Sequence, residues 1–174
     1  MAAGESTTYS MYTGNDATFP IRFEAPDGWK ATEESGTVDS YRAIRLLGPR
    51  NAEDTYTSAI TIRQSPVKAQ GGKFASGEEL MEHALAHQLS GSTTEARTVT
   101  TVAETPAIDV TVAYTVPPLR LPKLTPLPIP VKTRTLVLVK GSYVYEVIYT
   151  ADAREYSRHA SVFERVARSL QIGL

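Results

Sequence analysis

The stretch RTLVLVKGSYVYEVIYT, residues 134–150, decides the fold. In Thr135-Leu136-Val137-Leu138-Val139 apolar side chains stand on both alternating faces, so the strand needs cover above and below, which a half-solvated edge does not provide. It belongs in the middle of a sheet. In its partner, residues 143–149, Tyr143, Tyr145, Val147 and Tyr149 alternate with Val144, Glu146 and Ile148, and this aromatic and β-branched content suits a pleated, packed surface. Lys140-Gly141-Ser142 leaves room only for a tight turn in which Gly supplies a positive φ, so the pair is antiparallel. Downstream, Asp152 and Glu155 stand three apart as a variant capping box. Tyr156, Ala160, Phe163, Val166, Ala167 and Leu170 then recur at steps of three and four, so one stripe of a helix faces the sheet.

Working outward, residues 17–25 alternate with Phe19, Ile21 and Phe23 apolar and end in the turn signal Pro26-Asp27-Gly28. The return begins over 29–33, and further strands are predicted over 41–47, closed by Gly48-Pro49, and over 57–63. Residues 66–74 read as a loop rich in Gly and Lys. Ser76 and Glu79 form a capping box for a helix that carries Leu80, Met81, Ala84, Leu85 and Leu89 on one side and stops before Gly91. Two more strands are expected over 97–104 and 108–116, with Pro106 in the turn between them. Strands then a helix, repeated, with hairpin connections, predict an α+β domain. Because one strand is apolar on both faces, we expect a three-layer α/β/α sandwich with a central antiparallel sheet of about six or seven strands and two main helices. Residues 1–12, small and polar at their start, read as a tether or disordered segment, and 13–174 as a single domain.

Composition narrows the function classes. At 174 residues the chain is long enough to bury roughly 70% of its unfolded surface without staples. It has no Cys, which excludes disulfides and thiolate catalysis, and a net charge of −1, which argues against nonspecific nucleic-acid binding. No run reaches the length of a membrane-spanning helix. There is no G-x-S-x-G, P-loop or G-x-G-x-x-G, and Gly71-Gly72-Lys73 lacks the spacing of a phosphate cradle. A noncatalytic protein without a cofactor is expected.

Two features stand out as candidate sites. Residues 116–131 hold six of the eleven prolines and no acid, and proline fixes φ and removes amide donors, so an extended projection between two strands is predicted. Its Leu119, Leu121, Leu124, Leu127 and Ile129 must lie against something. The plain expectation is that the loop folds back and caps this domain's own core. The functional one is a docking arm, with Leu119, Arg120, Leu121, Lys123, Leu124, Leu127 and Ile129 meeting a protein partner or a membrane surface. From Val110 to Tyr145 there is no acid, while Arg120, Lys123, Lys132, Arg134 and Lys140 fall inside that window, so this edge is expected to attract anionic surfaces. The second feature is His83 and His87, four apart on the first helix, a spacing at which two imidazoles can share one metal. Without a third ligand nearby in sequence, solvated surface is the plainer expectation for both. His159 is expected to be an exposed or capping side chain.

With these elements in order, the sequence resembles the PsbP-like family and its relatives among DcrB-like bacterial envelope lipoproteins. The matching features are Phe19-Pro20-Ile21-Arg22-Phe23-Glu24-Ala25-Pro26-Asp27-Gly28-Trp29, similar to the family's strand followed by Pro-x-Gly-Trp, the closing strand from Gly141 to Ala151, and the final helix with Phe163, Val166 and Ser169 near its end. The resemblance implies a sheet with helices on both faces, also similar to a small Ran-binding protein and to chaperones of bacterial secretion effectors, in proteins that are mostly noncatalytic and secreted or lipid-anchored. From it we expect a binding or assembly module of the bacterial cell envelope, extracytoplasmic if a signal peptide was removed and cytoplasmic otherwise. A cytosolic chaperone or adaptor that shields a client segment is one alternative, and a metal protein or enzyme using His83 and His87 is the other.

Overall fold

The computed structural model describes residues 6–117 and 127–173. Its elements in chain order are β1 (Tyr9–Thr13), β2 (Ile21–Pro26), β3 (Lys30–Ser35), β4 (Arg42–Leu47), β5 (Ser58–Pro66), α1 (Gly77–Ala86), β6 (Thr93–Val102), β7 (Thr105–Val116), β8 (Ile129–Lys140), β9 (Tyr143–Asp152), α2 (Tyr156–Ser169) and β10 (Gln171–Ile172). Seven strands form one antiparallel sheet in the order β3-β4-β5-β9-β8-β7-β6, and β1-β2-β10 form a smaller one. The decisive hairpin is β8–β9. Lys140 pairs with Tyr143, which leaves Gly141 and Ser142 as a two-residue loop, and Gly141 sits at φ 61°, where a Cβ would be strained. β8, the strand apolar on both faces, is interior, the fifth of seven between β9 and β7, as its apolar faces require.

The two faces of this sheet are covered unequally. On one, Ile44, Leu46, Ile60, Ile62, Leu136, Leu138, Val147 and Tyr149 pack under Val162, Phe163 and Val166 of α2 and under Ile21 and Phe23 of β2. On the other, Val110, Val137 and Val144 lie under Leu80 and Met81 of α1. The sandwich therefore has its three layers, with α2 and β2 sharing one of them. The second helix buries the stripe expected of it, whereas α1 buries only Leu80 and Met81 and ends at Ala86, with Leu89 beyond it.

Three local expectations are corrected. Residues 9–12, assigned to a tether, are strand: Tyr12 stacks on Phe23 with ring centroids 5.2 Å apart and donates its hydroxyl to Glu33 Oε1 at 2.6 Å, so an aromatic anchor outweighs the polar composition around it. Pro106 is not in a turn but in β7, paired with Thr101 near the strand's start, where a missing amide donor costs little. Asp152 does not cap α2, since it ends β9 and accepts from Arg154 N–H and Nε at 2.9 Å each; Glu155 takes the cap position without a side-chain bond. At α1 the capping box does form: Ser76 Oγ accepts from Glu79 N–H at 3.1 Å, while the Glu79 carboxylate accepts from Ala75 N–H at 2.8 Å.

The β6–β7 turn carries a testable cost. Val102 pairs with Thr105, and the two loop residues Ala103 and Glu104 sit at φ 47° and 61°, the left-handed pair of a type I′ turn that favours Asn-Gly. Left-handed backbone costs an L-residue roughly 1–2 kcal/mol. Ala103→Asn with Glu104→Gly is expected to raise stability by about 1 kcal/mol, read as a higher urea midpoint at unchanged slope. A lower midpoint would contradict the turn assignment.

Candidate functional site

A helix of ten residues is about 15 Å long, whereas seven strands span about 29 Å from first to last. α1 lies over β7 and β8, so much of that face has no helix above it. Beyond the end of α1, the half-buried Val112, Tyr114, Thr133, Thr135 and Ile148 form the floor of a trough, with Leu85 and Leu89 on its helix side, enclosing about 410 Å³. Leu89 is 51% exposed. Further along the same face, Leu47, Ala59, Ile129, Val131 and Thr150 line a second depression toward the β4–β5 loop. The bare region thus runs from α1 to the strand ends where the proline-rich connection leaves and returns.

Of the docking residues predicted on that connection, Leu119, Arg120, Leu121, Lys123 and Leu124 lie outside the described residues. Leu127 is 83% exposed and Ile129 47% exposed, so both are on the surface, and Ile129 lines the second depression. The cationic edge expected from the acid-free window does not form in the described residues. Strand alternation sends Lys132 and Arg134 to the face opposite the trough. There Lys132 meets Glu95 at 2.9 Å, and Arg134 meets Asp109 at 2.7 Å and also Glu164. Lys140 Nζ donates to Ala103 O at 2.9 Å. The acids come from outside the window, which inspection of a linear stretch does not show.

At the end of the trough nearer β5, the surface turns polar. Arg63 of β5 and Glu146 of β9 are register partners facing α1, yet the guanidinium Nε lies 3.9 Å from the carboxylate, too far for a hydrogen bond. Arg63 Nε is buried and has no partner among the described residues, while the guanidinium rests on the Tyr41 ring, 4.3 Å from its centroid. Burial pushes the Glu146 carboxyl above its ordinary range, and Arg63 pulls it part of the way back. Both border a cavity of about 190 Å³ with Ser65, Lys73, Phe74, Leu80, His83 and Ala84. Glu146 was legible as the one acid in the otherwise aromatic and aliphatic run 143–149. Its pairing with a residue from the other half of the chain was not.

His83 and His87 stack face to face, ring centroids 4.1 Å apart. His87 ends the helix, with its Nδ1 2.8 Å from His83 O, and His83 also leans on Phe74. Burial, then the neighbouring His87 and Lys73, hold the His83 imidazole below its ordinary pKa. Glu79, four residues before, is engaged in the capping box. Among the described residues no three metal-donating side chains come together. His159 sits edge-on to Trp29 at 5.4 Å. A larger cleft of about 820 Å³ lies at the far end of α2, but its Arg165 is paired with Glu24 and its Lys140 with a backbone carbonyl.

No family model matches the chain, and no curated protein matches its sequence. Solved structures do match. LpqN, involved in cell envelope biogenesis of Mycobacterium tuberculosis, aligns with a TM-score of 0.58 at 13% identity over 96% of this chain and 91% of its own. Cyanobacterial PsbP (CyanoP) from Synechocystis aligns at 0.55 and 10% identity, over 99% and 98%. The Saccharomyces cerevisiae Ran-binding protein Mog1p aligns at 0.55 and 10%, over 96% of each chain. These likenesses show the fold: the chain has the PsbP-like architecture that its sequence resembles.

Proposed function

Starting from a PsbP-like fold with one half-bare sheet face, we propose that this domain, β1 included, is one noncatalytic binding module of the bacterial cell envelope. It holds an apolar segment of a protein partner in the trough beside α1. The observation that carries this is the trough itself: apolar floor and wall side chains left in water, at the size of a ligand site rather than a packing defect. Isolated exposed leucines need no explanation, but Leu89, Ile148, Tyr114 and Val112 adjoin one another. The threonines of the floor offer hydroxyls to a peptide backbone, and Thr133 already bonds to the Tyr114 hydroxyl at 3.4 Å. The proline-rich segment, with Leu119, Arg120, Leu121, Lys123, Leu124, Leu127 and Ile129, serves in this proposal as a second, flanking contact. The envelope placement draws on the resemblance and on LpqN's involvement in cell envelope biogenesis. No described helix is long and apolar enough to cross a membrane, so any hold on one would come from elsewhere in the protein or from partners.

Site-specific photo-crosslinking in cells tests the proposal. A benzophenone side chain at Val112 or Leu127 is expected to give the same single adduct, weakened at least about fivefold by Leu89→Glu, a change at an exposed position with little effect on stability. Met11, 50% exposed on β1 and so in the layer on the other side of the sheet, is expected to give none. Equal adducts at Met11, or none at Val112, would remove the trough as the binding surface.

A further inference from the structure

Resting on that proposal, we infer that the trough receives the C-terminus of the partner polypeptide. The terminal carboxylate is taken by Arg63 and Lys73, and the last amide N–H by Glu146. Geometry along the strands gives the direction. Moving on β5 and β9 from Thr61 and Ile148 to Arg63 and Glu146 and then to Ser65 and Val144, the face runs from the apolar trough into the small polar cavity. Leu80, Ala84 and Glu146 line both, so the two spaces join. Past Ser65 stands the loop after β5, which puts Lys73 and Phe74 on the cavity. The loop is tightly folded: Lys68 N–H donates to Phe74 O at 2.8 Å and Gly72 N–H to Val67 O at 3.0 Å, and the backbone of Gly72 comes so close to Pro66 that a Cβ there would lie 1.7 Å from the Pro66 carbonyl oxygen. A chain end lying in the trough meets this loop and its cation.

The chemistry of this polar end fits a chain end. Arg63 Nε is a buried donor without an acceptor among the described residues, an unfavourable state unless something supplies one. Its stacking on Tyr41 holds the guanidinium in place rather than letting it swing to Glu146. Lys73 adds a second cation at the rim and Ser65 a hydroxyl, while Phe74, Leu80 and Ala84 form apolar walls. With His83 kept neutral, two cations face one carboxylate, and a single added negative charge balances them. Glu146 accepts no hydrogen bond among the described residues, so a ligand that brings an N–H beside its carboxylate satisfies both partners at once. An amidated terminus or an internal peptide bond lacks the charge, and a simple acid such as acetate lacks the N–H.

Titration of the full chain, followed by the NMR signals of the Ala84 methyl and the Phe74 ring, tests this with N-acetylglycine, N-acetylglycinamide, acetate, and N-acetyl-Leu-Val-Gly as free acid and as amide. The free acids are expected to shift both signals and to bind at least about tenfold more tightly than their amides. The tripeptide acid is expected to exceed N-acetylglycine, and acetate to trail it. Lys73→Ala, at an exposed loop position where folding is not at issue, is expected to reduce the preference for acid over amide at least about threefold, with Arg63 keeping the remainder. Equal binding of acid and amide, an undiminished preference in Lys73→Ala, or no shift by any compound up to about 50 mM would overturn the inference. In each of those cases, trough adducts at Val112 that respond to Leu89→Glu would still support the binding module itself, so the two failures are separable.

Discussion

Phe163→Ala should lower the unfolding free energy by about 3–5 kcal/mol, the usual cost of removing a fully buried aromatic ring. For a chain of this size that corresponds to a fall in Tm of roughly 6–20 °C. Phe163 is 1% exposed and fills the space between α2 and the sheet: its ring stacks on Tyr149 at 5.5 Å, and the Arg134 guanidinium lies 5.3 Å from its centroid. Tyr149, itself fully buried, donates its hydroxyl to Tyr156 O at 2.7 Å, which fixes the ring so that it cannot rotate into the gap. The expected result is therefore a cavity rather than a collapse. The opposite face should behave differently. Among the described residues the cluster beneath α2 contains 21 buried residues and the one beneath α1 five, so amides of α1 are expected to exchange with solvent well before those of α2. Urea denaturation followed by native-state hydrogen exchange would measure both. A loss below about 1.5 kcal/mol for Phe163→Ala, or α1 amides protected as long as those of α2, would contradict this division of stability. The asymmetry matters for function, because the proposed binding face is built on the less stable side, where a partner can add what the chain's own core does not supply.

That asymmetry marks the limit of what could be read in the chain. The hairpin 134–150 was legible because two faces of apolar side chains in one strand admit a single solution, a central position, and Gly141 stands where a two-residue turn needs it. The helix after it was legible because its stripe is nearly complete. On α1 the same periodic signal, Leu80, Met81, Ala84, Leu85 and Leu89, told that a helix packs but not how little of a seven-stranded sheet it covers; sheet width depends on strand pairings far apart in sequence. Arg63 and Glu146 show the same limit, since they become neighbours only through the β5–β9 register. The acid-free window misled for a related reason: period-two alternation and the return of α2 set acids from other segments against Lys132 and Arg134. Pro106 was taken for punctuation because proline usually is, yet near the start of a strand its missing donor is tolerated. The strand at Tyr9 hides in polar residues and depends on the stacking of one side chain, Tyr12, on Phe23.

Arg134→Met should be the most damaging polar substitution in the described chain, at about 2–4 kcal/mol. The guanidinium donates through Nε to Asp109 Oδ1 at 3.0 Å and through a second nitrogen to Asp109 Oδ2 at 2.7 Å, a two-pronged pair, and its remaining nitrogen bonds Glu164 of α2. The bond to Asp109, opposed by burial and then aided by Glu164, holds the Arg134 pKa above its already high ordinary value, so the group stays charged wherever the protein is folded. Asp109 is 10% exposed on its side chain, and Glu164 47%. Removing the arginine therefore strands one carboxylate in the interior and leaves the other free to turn to water. Most of the loss should come from Asp109, and this gives the discriminating experiment. Asp109→Leu alone leaves a cation that still has Glu164, and is expected to cost less than Arg134→Met. The double variant Arg134→Met with Asp109→Leu removes donor and acceptor together, and should recover at least about half of the arginine's loss, because an apolar pair of similar volume carries no unpaired charge. Urea midpoints at constant slope for the four proteins of this cycle would give the coupling directly. Strict additivity of the two single changes would mean that Arg134 acts only by covering Phe163 with its stem and guanidinium face, and that the ion pair contributes nothing of its own.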